Sequence, residues 1–252
     1  ERDLAAYAEA PEVAALDLSA FSEEDILNTV LQRSEVLFDV PRQGRLIRAW
    51  SDGDAAPLRR VVEDKGEILL RRAIGALFRE YEELRPVLDK LSPKRVADIG
   101  CGYAFFDLFL ARDHGAELVL IDLEQNEARH FGLQEEGAAY TSLAVARRFL
   151  EANGVPADRI RTLNPAEEAV AAVKDVELAI SFLSCGFHYP VSTYETFFRE
   201  GVARDGAIIL DLRGAAASRQ KATLEGIGAV STLSRGPKWL RVLVRKSPAA
   251  VH

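Results

Sequence analysis

The chain of 252 residues is 48% hydrophobic and 28% charged, which is typical of a folded globular protein and excludes intrinsic disorder. Its 32 lysine and arginine residues against 39 aspartate and glutamate residues give a net charge of −7, which disfavours a nucleic-acid-binding protein. No apolar run approaches the roughly 20 residues of a membrane span, and the acidic start lacks a secretory-signal pattern. Cys101 and Cys185 are too few for a disulfide framework or a zinc site alone, so we expect a cytoplasmic protein without a bound metal.

Residues 1–93 are predicted to form a helical N-terminal extension or cap. Ser22 followed by Asp25 is typical of a capping box at a helix start. Apolar residues then recur three and four positions apart between residues 70 and 91, which predicts one buried face of a longer helix. Pro86 is expected to kink or restart that helix.

Residues 94–252 show a different pattern, in which short apolar runs alternate with helical stretches. Strands are predicted at 95–99, 118–122, 160–163, 178–183 and 207–212, and helices at 105–113, 140–153, 166–173 and 191–203. Two further strands, 228–233 and 239–245, are too close together for a helix between them and therefore predict a hairpin. The sequence thus predicts an α/β, Rossmann-like, seven-stranded sheet with a C-terminal antiparallel hairpin.

A glycine turn and two carboxylates mark the ends of the first two predicted strands. Gly100 and Gly102 follow Asp98, but Phe105 stands where a dinucleotide fingerprint needs its third glycine. The Lys-Ser/Thr pair of a phosphate loop is also absent. Asp122, at the tip of the second strand, suits the two hydroxyls of a ribose. These residues indicate a ligand with a cationic group, an adenosine-like sugar and no phosphates, and S-adenosylmethionine has those properties.

Residues 96–104 resemble the first motif of class I S-adenosylmethionine-dependent methyltransferases, in which an acidic residue precedes Gly-x-Gly-x-Gly. Ala104 stands where that motif has its third glycine. The resemblance covers residues 94–246, strand order and hairpin included, and implies the seven-stranded methyltransferase sheet. It also implies a set of cofactor-binding residues: Asp98, Gly100, Cys101, Gly102 and Tyr103 around the methionine moiety, Asp122 and Leu123 at the ribose, Asn164 at the adenine amino group, and Ser181 and Phe182 below the methyl donor.

Two of these residues also have simpler explanations. Asn164 precedes a proline and is equally suited to a turn or a helix cap. Cys101 is expected to be a small buried residue rather than a nucleophile.

The family places its acceptor-binding groups after strands four and five. Residues 183–190 carry His188, a candidate general base whose alternative role is to cap a helix or hold a loop. The absence of an Asn-Pro-Pro-Tyr sequence argues against transfer to base amines or glutamine amides. Asp211 and Arg213 are expected to pair with each other, or Arg213 to hold an anionic substrate. Residues 124–140, with Arg129, are expected to form a lid.

We therefore expect methyl transfer from S-adenosylmethionine to an oxygen of a small molecule or saccharide. The helical preface and the turn near residue 103 resemble bacterial proteins assigned as sugar O-methyltransferases. An RNA methyltransferase and a non-catalytic scaffold or regulatory subunit with the same fold remain alternatives. A nicotinamide oxidoreductase is disfavoured by Phe105 and by the terminal hairpin.

Overall fold

The computed structural model describes residues 2–124 and 141–246. Apart from Glu124, the predicted lid at 124–140 lies outside the described residues, as do Arg129 and Tyr140. The chain forms two compact units. Unit 1 comprises Glu1–Pro86, Gly102–Leu110 and Glu124–Pro156, and unit 2 comprises Val87–Cys101, Ala111–Leu123 and Ala157–His252. A division into domains at residues 93 and 94 stays a prediction.

The seven strands follow one another in the predicted order. In the described ranges the helices are α1 (Arg2–Ala8), α2 (Pro11–Ala14), α3 (Glu23–Gln32), α4 (Gln43–Ser51), α5 (Ala56–Leu91), α6 (Phe105–His114), α7 (Leu143–Ala152), α8 (Glu195–Glu200) and α9 (Ala217–Glu225). The strands are β1 (Arg95–Ile99), β2 (Glu117–Ile121), β3 (Ile160–Leu163), β4 (Val176–Ser181), β5 (Val202–Arg213), β6 (Ala229–Arg235) and β7 (Trp239–Arg245). Among the described residues, no helix combines the length and the apolar character needed to cross a membrane.

Unit 1 is helical, as predicted for the N-terminal region. The capping box is confirmed, because the Ser22 hydroxyl accepts from the Asp25 N–H while the Asp25 carboxylate accepts from the Ser22 N–H. The ring of Phe21 packs against Tyr103, Phe105 and Phe149, with centroids 5.2–5.7 Å apart. Aromatic contacts of this kind tie distant parts of the chain into one core.

The long helix α5 runs through Pro86 without a restart, contrary to one of the two predicted outcomes. A proline inside a helix removes one backbone hydrogen bond. Buried side chains on both sides of this position, Leu84 and Leu88, hold the helix in place. Packing therefore outweighs the local preference of the proline.

Unit 2 contains the seven-stranded sheet, in the order β3-β2-β1-β4-β5-β7-β6. The first five strands of that order are parallel, and β7 runs antiparallel to both β5 and β6. This arrangement confirms the predicted α/β fold with its closing antiparallel hairpin. Side chains of the sheet such as Ala97 and Val119 form one apolar core with Phe197 of α8 and Leu224 of α9.

Two helix predictions need correction, and one helix was missed. The predicted helix 166–173 is wrong, because only the single turn Val170–Ala172 forms and the Asn164 side chain caps the preceding turn at Ala166. The predicted helix 191–203 is shorter, with α8 ending at Glu200 before β5 begins. Helix α9 was not predicted, because its sequence buries only Gln220 and Leu224 and shows little periodicity.

One strand prediction is also displaced. Strand β4 begins two residues earlier than predicted and ends at Ser181 instead of residue 183. Leu183 has a φ of +57°, a left-handed conformation that no strand residue adopts. The chain therefore turns sharply just after β4, where the family resemblance places its acceptor-binding residues.

Candidate functional site

The turn after β1 is bound to the end of β2. The N–H groups of Gly100 and Cys101 both donate to the carbonyl of Ile121, at 2.7 and 3.3 Å. Gly100 has a φ of +78°, and a Cβ atom added there would clash with the side chain of Ser184. Glycine is therefore required at this position both by backbone conformation and by close approach.

The two predicted carboxylates stand at the carboxyl ends of adjacent strands. Asp98 lies in β1, is 5% exposed and pairs in register with Leu120 and Ile180 on either side. Asp122 directly follows β2, is half-buried, and donates its backbone N–H to Leu163 at 3.2 Å. Because the strands are parallel, their carboxyl ends share one edge of the sheet, as the sequence predicted.

The charge at this edge of the sheet is negative. The segments 96–101, 118–123 and 176–189 contain Asp98 and Asp122 but no lysine or arginine. A phosphate-binding site normally supplies cationic side chains rather than carboxylates. This donor set therefore fits a cationic ligand with hydroxyl groups better than a nucleotide diphosphate.

Ser181 connects the ends of β1 and β4, and its predicted place below the methyl donor stays a prediction. Its hydroxyl is fully buried, donates to the Ile99 carbonyl at 2.6 Å and accepts from the Cys185 N–H at 2.9 Å. Both bonds stay inside unit 2, so the residue holds the turn after β4 against the turn after β1.

A compact turn follows β4. The Ser184 carbonyl accepts hydrogen bonds from the N–H groups of residues 187, 188 and 189, at 2.8–3.2 Å. Gly186 has a φ of +92°, and a Cβ there would meet the backbone of β5. The buried Gln220 of α9 donates to the Gly186 carbonyl and accepts from the Val191 N–H. Helix α9 thus anchors the turn after β4 through the side chain of Gln220.

His188 lies within this turn and is half-buried. Its backbone N–H donates to Ser184 at 2.8 Å, and its ring packs edge-on against Phe187 with centroids 5.3 Å apart. The next residue, Tyr189, is 38% exposed. His188 therefore lies at the predicted acceptor edge, held by its backbone, and its role as a base stays a prediction.

The predicted pairing of Asp211 with Arg213 is wrong. The Asp211 carboxylate instead makes two bonds of 2.7 Å to the guanidinium of Arg241, with both side chains almost fully buried. The antiparallel register sets these two residues directly opposite each other in β5 and β7. The Arg241 guanidinium also lies over the rings of Phe182 and Trp239, at 4.4 and 5.3 Å from their centroids.

The groups buried below the turn are held in their neutral forms. Burial raises the pKa of the Cys185 thiol to about 12, which leaves it inert as a nucleophile near neutral pH. Burial, followed by the negative charges of Cys185, Tyr189 and Asp122, raises the pKa of Tyr194 to about 12. Cys101 is half-buried, so its predicted burial is only partial.

Asn164 follows β3 at the predicted position. Its side-chain carbonyl accepts from the Ala166 N–H at 3.0 Å, which confirms the turn role. A carbonyl oxygen has a second lone pair, so contact with an adenine amino group stays a prediction. Leu123 is half-buried next to Asp122.

The last two predicted cofactor residues, Gly102 and Tyr103, belong to unit 1. Tyr103 is 3% exposed, and its hydroxyl donates to Asp25 at 2.9 Å. The phenol is thus engaged within the helical core of unit 1. A cofactor role for these two residues stays a prediction. It would use their backbone atoms, because Gly102 has no side chain and the Tyr103 hydroxyl already bonds to Asp25.

The sequence analysis missed Gln220 and Arg241, and it gave no separate role to Ser184 within the predicted acceptor segment 183–190. The opposition of Asp211 and Arg241 could have been found by aligning the predicted strands of the hairpin in antiparallel register. Ser184 and Gln220 carry no signal in the sequence, since their positions depend on turn geometry and on helix α9. Within residues 2–124 and 141–246, no cluster of three or more histidine, cysteine, aspartate or glutamate side chains could hold a metal ion.

No family model matches the chain, and no curated protein matches it. A solved structure from Nostoc punctiforme, described as a proposed O-methyltransferase, is similar over 71% of this chain and 59% of its own, with 14% identity and a TM-score of 0.50. A methyltransferase from Geobacter sulfurreducens is similar over 66% of this chain and 77% of its own, with 17% identity and a TM-score of 0.46. An O-methyltransferase family protein from Burkholderia thailandensis is similar over 70% of this chain and 60% of its own, with 12% identity and a TM-score of 0.43.

The Nostoc structure and the strand order together show that the chain has the class I S-adenosylmethionine-dependent methyltransferase fold. The chain spans about three fifths of the length of the Nostoc structure. At 14% identity the likeness concerns the fold alone, and function has to be argued from the site.

Proposed function

We propose that the protein is an S-adenosylmethionine-dependent methyltransferase whose acceptor atom is an oxygen of a small molecule or saccharide. The observation that carries this proposal is the pair Asp98 and Asp122 at the ends of adjacent parallel strands, beside the glycine turn at Gly100. On this fold, ligands bind outside the carboxyl ends of the strands.

The residues present fit this cofactor. Carboxylates favour a ligand that carries a sulfonium and an ammonium group, and the edge segments of β1, β2 and β4 supply no cation to hold a phosphate. Asp122 accepts hydrogen bonds from the two ribose hydroxyls, and Asn164 contacts the adenine amino group. Asp98, Gly100 and Cys101 contact the methionine moiety. When bound, the cofactor supplies a methyl group on a positively charged sulfur.

The chain's own residues supply alignment and proton transfer. Ser181 ties the turn after β4 to the end of β1, which holds the acceptor edge at a constant distance from the glycine turn. The His188 imidazole accepts the proton of the acceptor hydroxyl, a role for which histidine is the usual side chain near neutral pH. Phe182, whose ring packs against the Arg241 guanidinium, forms the floor of the site below the methyl donor.

Calorimetric titration of the purified protein with S-adenosylmethionine, with NADH as the control ligand, tests the cofactor class. We expect saturable binding of S-adenosylmethionine and no heat from NADH. Binding of NADH alone would identify a nicotinamide oxidoreductase, and binding of neither ligand would overturn the proposal in favour of a non-catalytic scaffold.

The acceptor and the base are tested next. A panel of hydroxylated small molecules and saccharides is screened for S-adenosylhomocysteine formation, with an RNA pool as the competing acceptor. We expect His188→Ala to lower turnover about 100-fold or more while leaving cofactor affinity unchanged. Wild-type turnover in that variant would make His188 a structural residue, and methylation of RNA alone would overturn the assignment of the acceptor.

A further inference from the structure

The Ser184 hydroxyl occupies an unusual place at the edge of the sheet. Its side chain lies directly over the Cα atom of Gly100, at the position where any larger residue would place its Cβ. Ser184 is half-buried, and no residue in the described part of the chain hydrogen-bonds to its hydroxyl. A polar group is thus packed against the turn after β1 without a protein partner in the described ranges.

Ser184 is held rigidly. Its carbonyl accepts three backbone hydrogen bonds from residues 187–189, and the preceding Leu183 is fixed in a left-handed conformation. The Ser181 hydroxyl bridges Ile99 and Cys185 on either side of the same turn. The hydroxyl is therefore presented in one place, and little conformational entropy is lost when a ligand binds to it.

The position of Ser184 relative to Asp122 follows from the strand order. Strand β1 lies between β2 and β4, so Asp122 and Ser184 flank the Gly100 turn from opposite sides. Neighbouring strands are about 4.8 Å apart, which separates the two flanks by roughly 10 Å. A ligand whose ribose lies at Asp122 and which crosses the turn places its other end at Ser184.

We propose that the Ser184 hydroxyl binds the amino-acid end of S-adenosylmethionine and positions it over Gly100. This inference rests on the proposed function. A hydroxyl both accepts from an ammonium group and donates to a carboxylate, so it matches either charged group of that end. Hydrogen bonds to charged groups are stronger than neutral ones, which makes the contact measurable.

The experiment compares two ligands that differ in this end alone. S-adenosylhomocysteine carries the amino-acid end, and 5′-methylthioadenosine lacks it. We expect Ser184→Ala to weaken binding of S-adenosylhomocysteine about tenfold and to change binding of 5′-methylthioadenosine less than twofold. Ser184→Ala keeps the Cβ that packs on Gly100. Ser192→Ala, at an exposed serine in the short turn before α8, is the matched control, and we expect unchanged affinity for both ligands.

Each other outcome has a distinct meaning. If Ser184→Ala binds both ligands like the wild type, or weakens both equally, the hydroxyl has only a packing role and the inference is overturned. If the wild-type protein binds neither ligand, the proposed function fails and the inference falls with it. Ser184→Cys, which keeps the volume but donates weakly, distinguishes a lost hydrogen bond from a folding defect, because we expect it to bind S-adenosylhomocysteine with intermediate affinity.

Discussion

Asp211 and Asp122 are both aspartates near the carboxyl ends of parallel strands, yet their surroundings differ. Asp211 is 1% exposed and makes a two-bond ion pair with Arg241 across the β5–β7 register. Asp122 is half-buried, follows β2 directly, and belongs to a segment without lysine or arginine. The first carboxylate is paired within the fold, whereas the second is the one that we propose binds a ligand. Changes at these two positions should therefore separate stability from binding.

The largest effect is expected from Asp211→Ala. Removal of one partner of a buried ion pair leaves the Arg241 charge without compensation, and we expect a loss of about 3–5 kcal/mol in the free energy of unfolding. Urea denaturation followed by circular dichroism measures this loss. Glu195→Ala, which breaks the exposed pair with Arg199, is the control and should cost less than about 1 kcal/mol. Equal losses in the two variants would show that the buried ion pair contributes no more to the free energy of unfolding than the exposed pair.

Asp122→Asn should give the opposite result. We expect the affinity for S-adenosylmethionine to fall about tenfold or more, because a charged acceptor for the ribose hydroxyls is lost, while the unfolding curve stays within about 0.5 kcal/mol of the wild type. Calorimetric titration and urea denaturation give the two values. Asp158→Asn, at an exposed turn before β3, serves as the control. Unchanged affinity would remove the ribose assignment of Asp122.

Ser181→Ala tests the bridge between the two turns and should have an intermediate effect on stability. It leaves the Ile99 carbonyl and the Cys185 N–H without the hydroxyl that joins them, and we expect a loss of about 1–3 kcal/mol. Chemical denaturation checks this value against Ser192→Ala, which should be neutral. A neutral Ser181→Ala would mean that water replaces the hydroxyl and that the bridge does not hold the acceptor edge.

A last effect on stability is expected from alkaline pH, which acts on groups that burial keeps neutral. The pKa of Cys185 is raised from 9.0 to about 12 and that of Tyr194 from 10.0 to about 12. The unfolded chain loses these protons at a lower pH than the folded chain, so both contributions to stability are complete below pH 9 and decline between pH 9 and 12. Urea unfolding from pH 8 to 11 measures the decline, and Cys185→Ala should make it shallower. A slope that is the same in this variant would show that Cys185 titrates normally in the folded protein.

Local patterns in the sequence determined most of the architecture. Short apolar runs that alternate with helical stretches indicate buried parallel strands, because a parallel strand buries both of its faces. The short link between the last two strands allows only a hairpin. The Ser22–Asp25 capping box and the positions of Asp98, Gly100 and Asp122 at strand ends follow from the same local rules. The fold class was therefore predictable without coordinates, and so were the positions of these residues at the strand ends.

Tertiary structure alone decided which polar residues pair with each other inside the fold. The partner of Asp211 is Arg241 and not the predicted Arg213, because the register between strands, and not closeness in sequence, sets which residues are opposite each other in a sheet. Ser184 came to lie on Gly100 because a left-handed residue ends β4 early and turns the chain back over β1. Such contacts join residues that are far apart in the chain, and no local propensity encodes them, since they arise only when the strands are packed side by side.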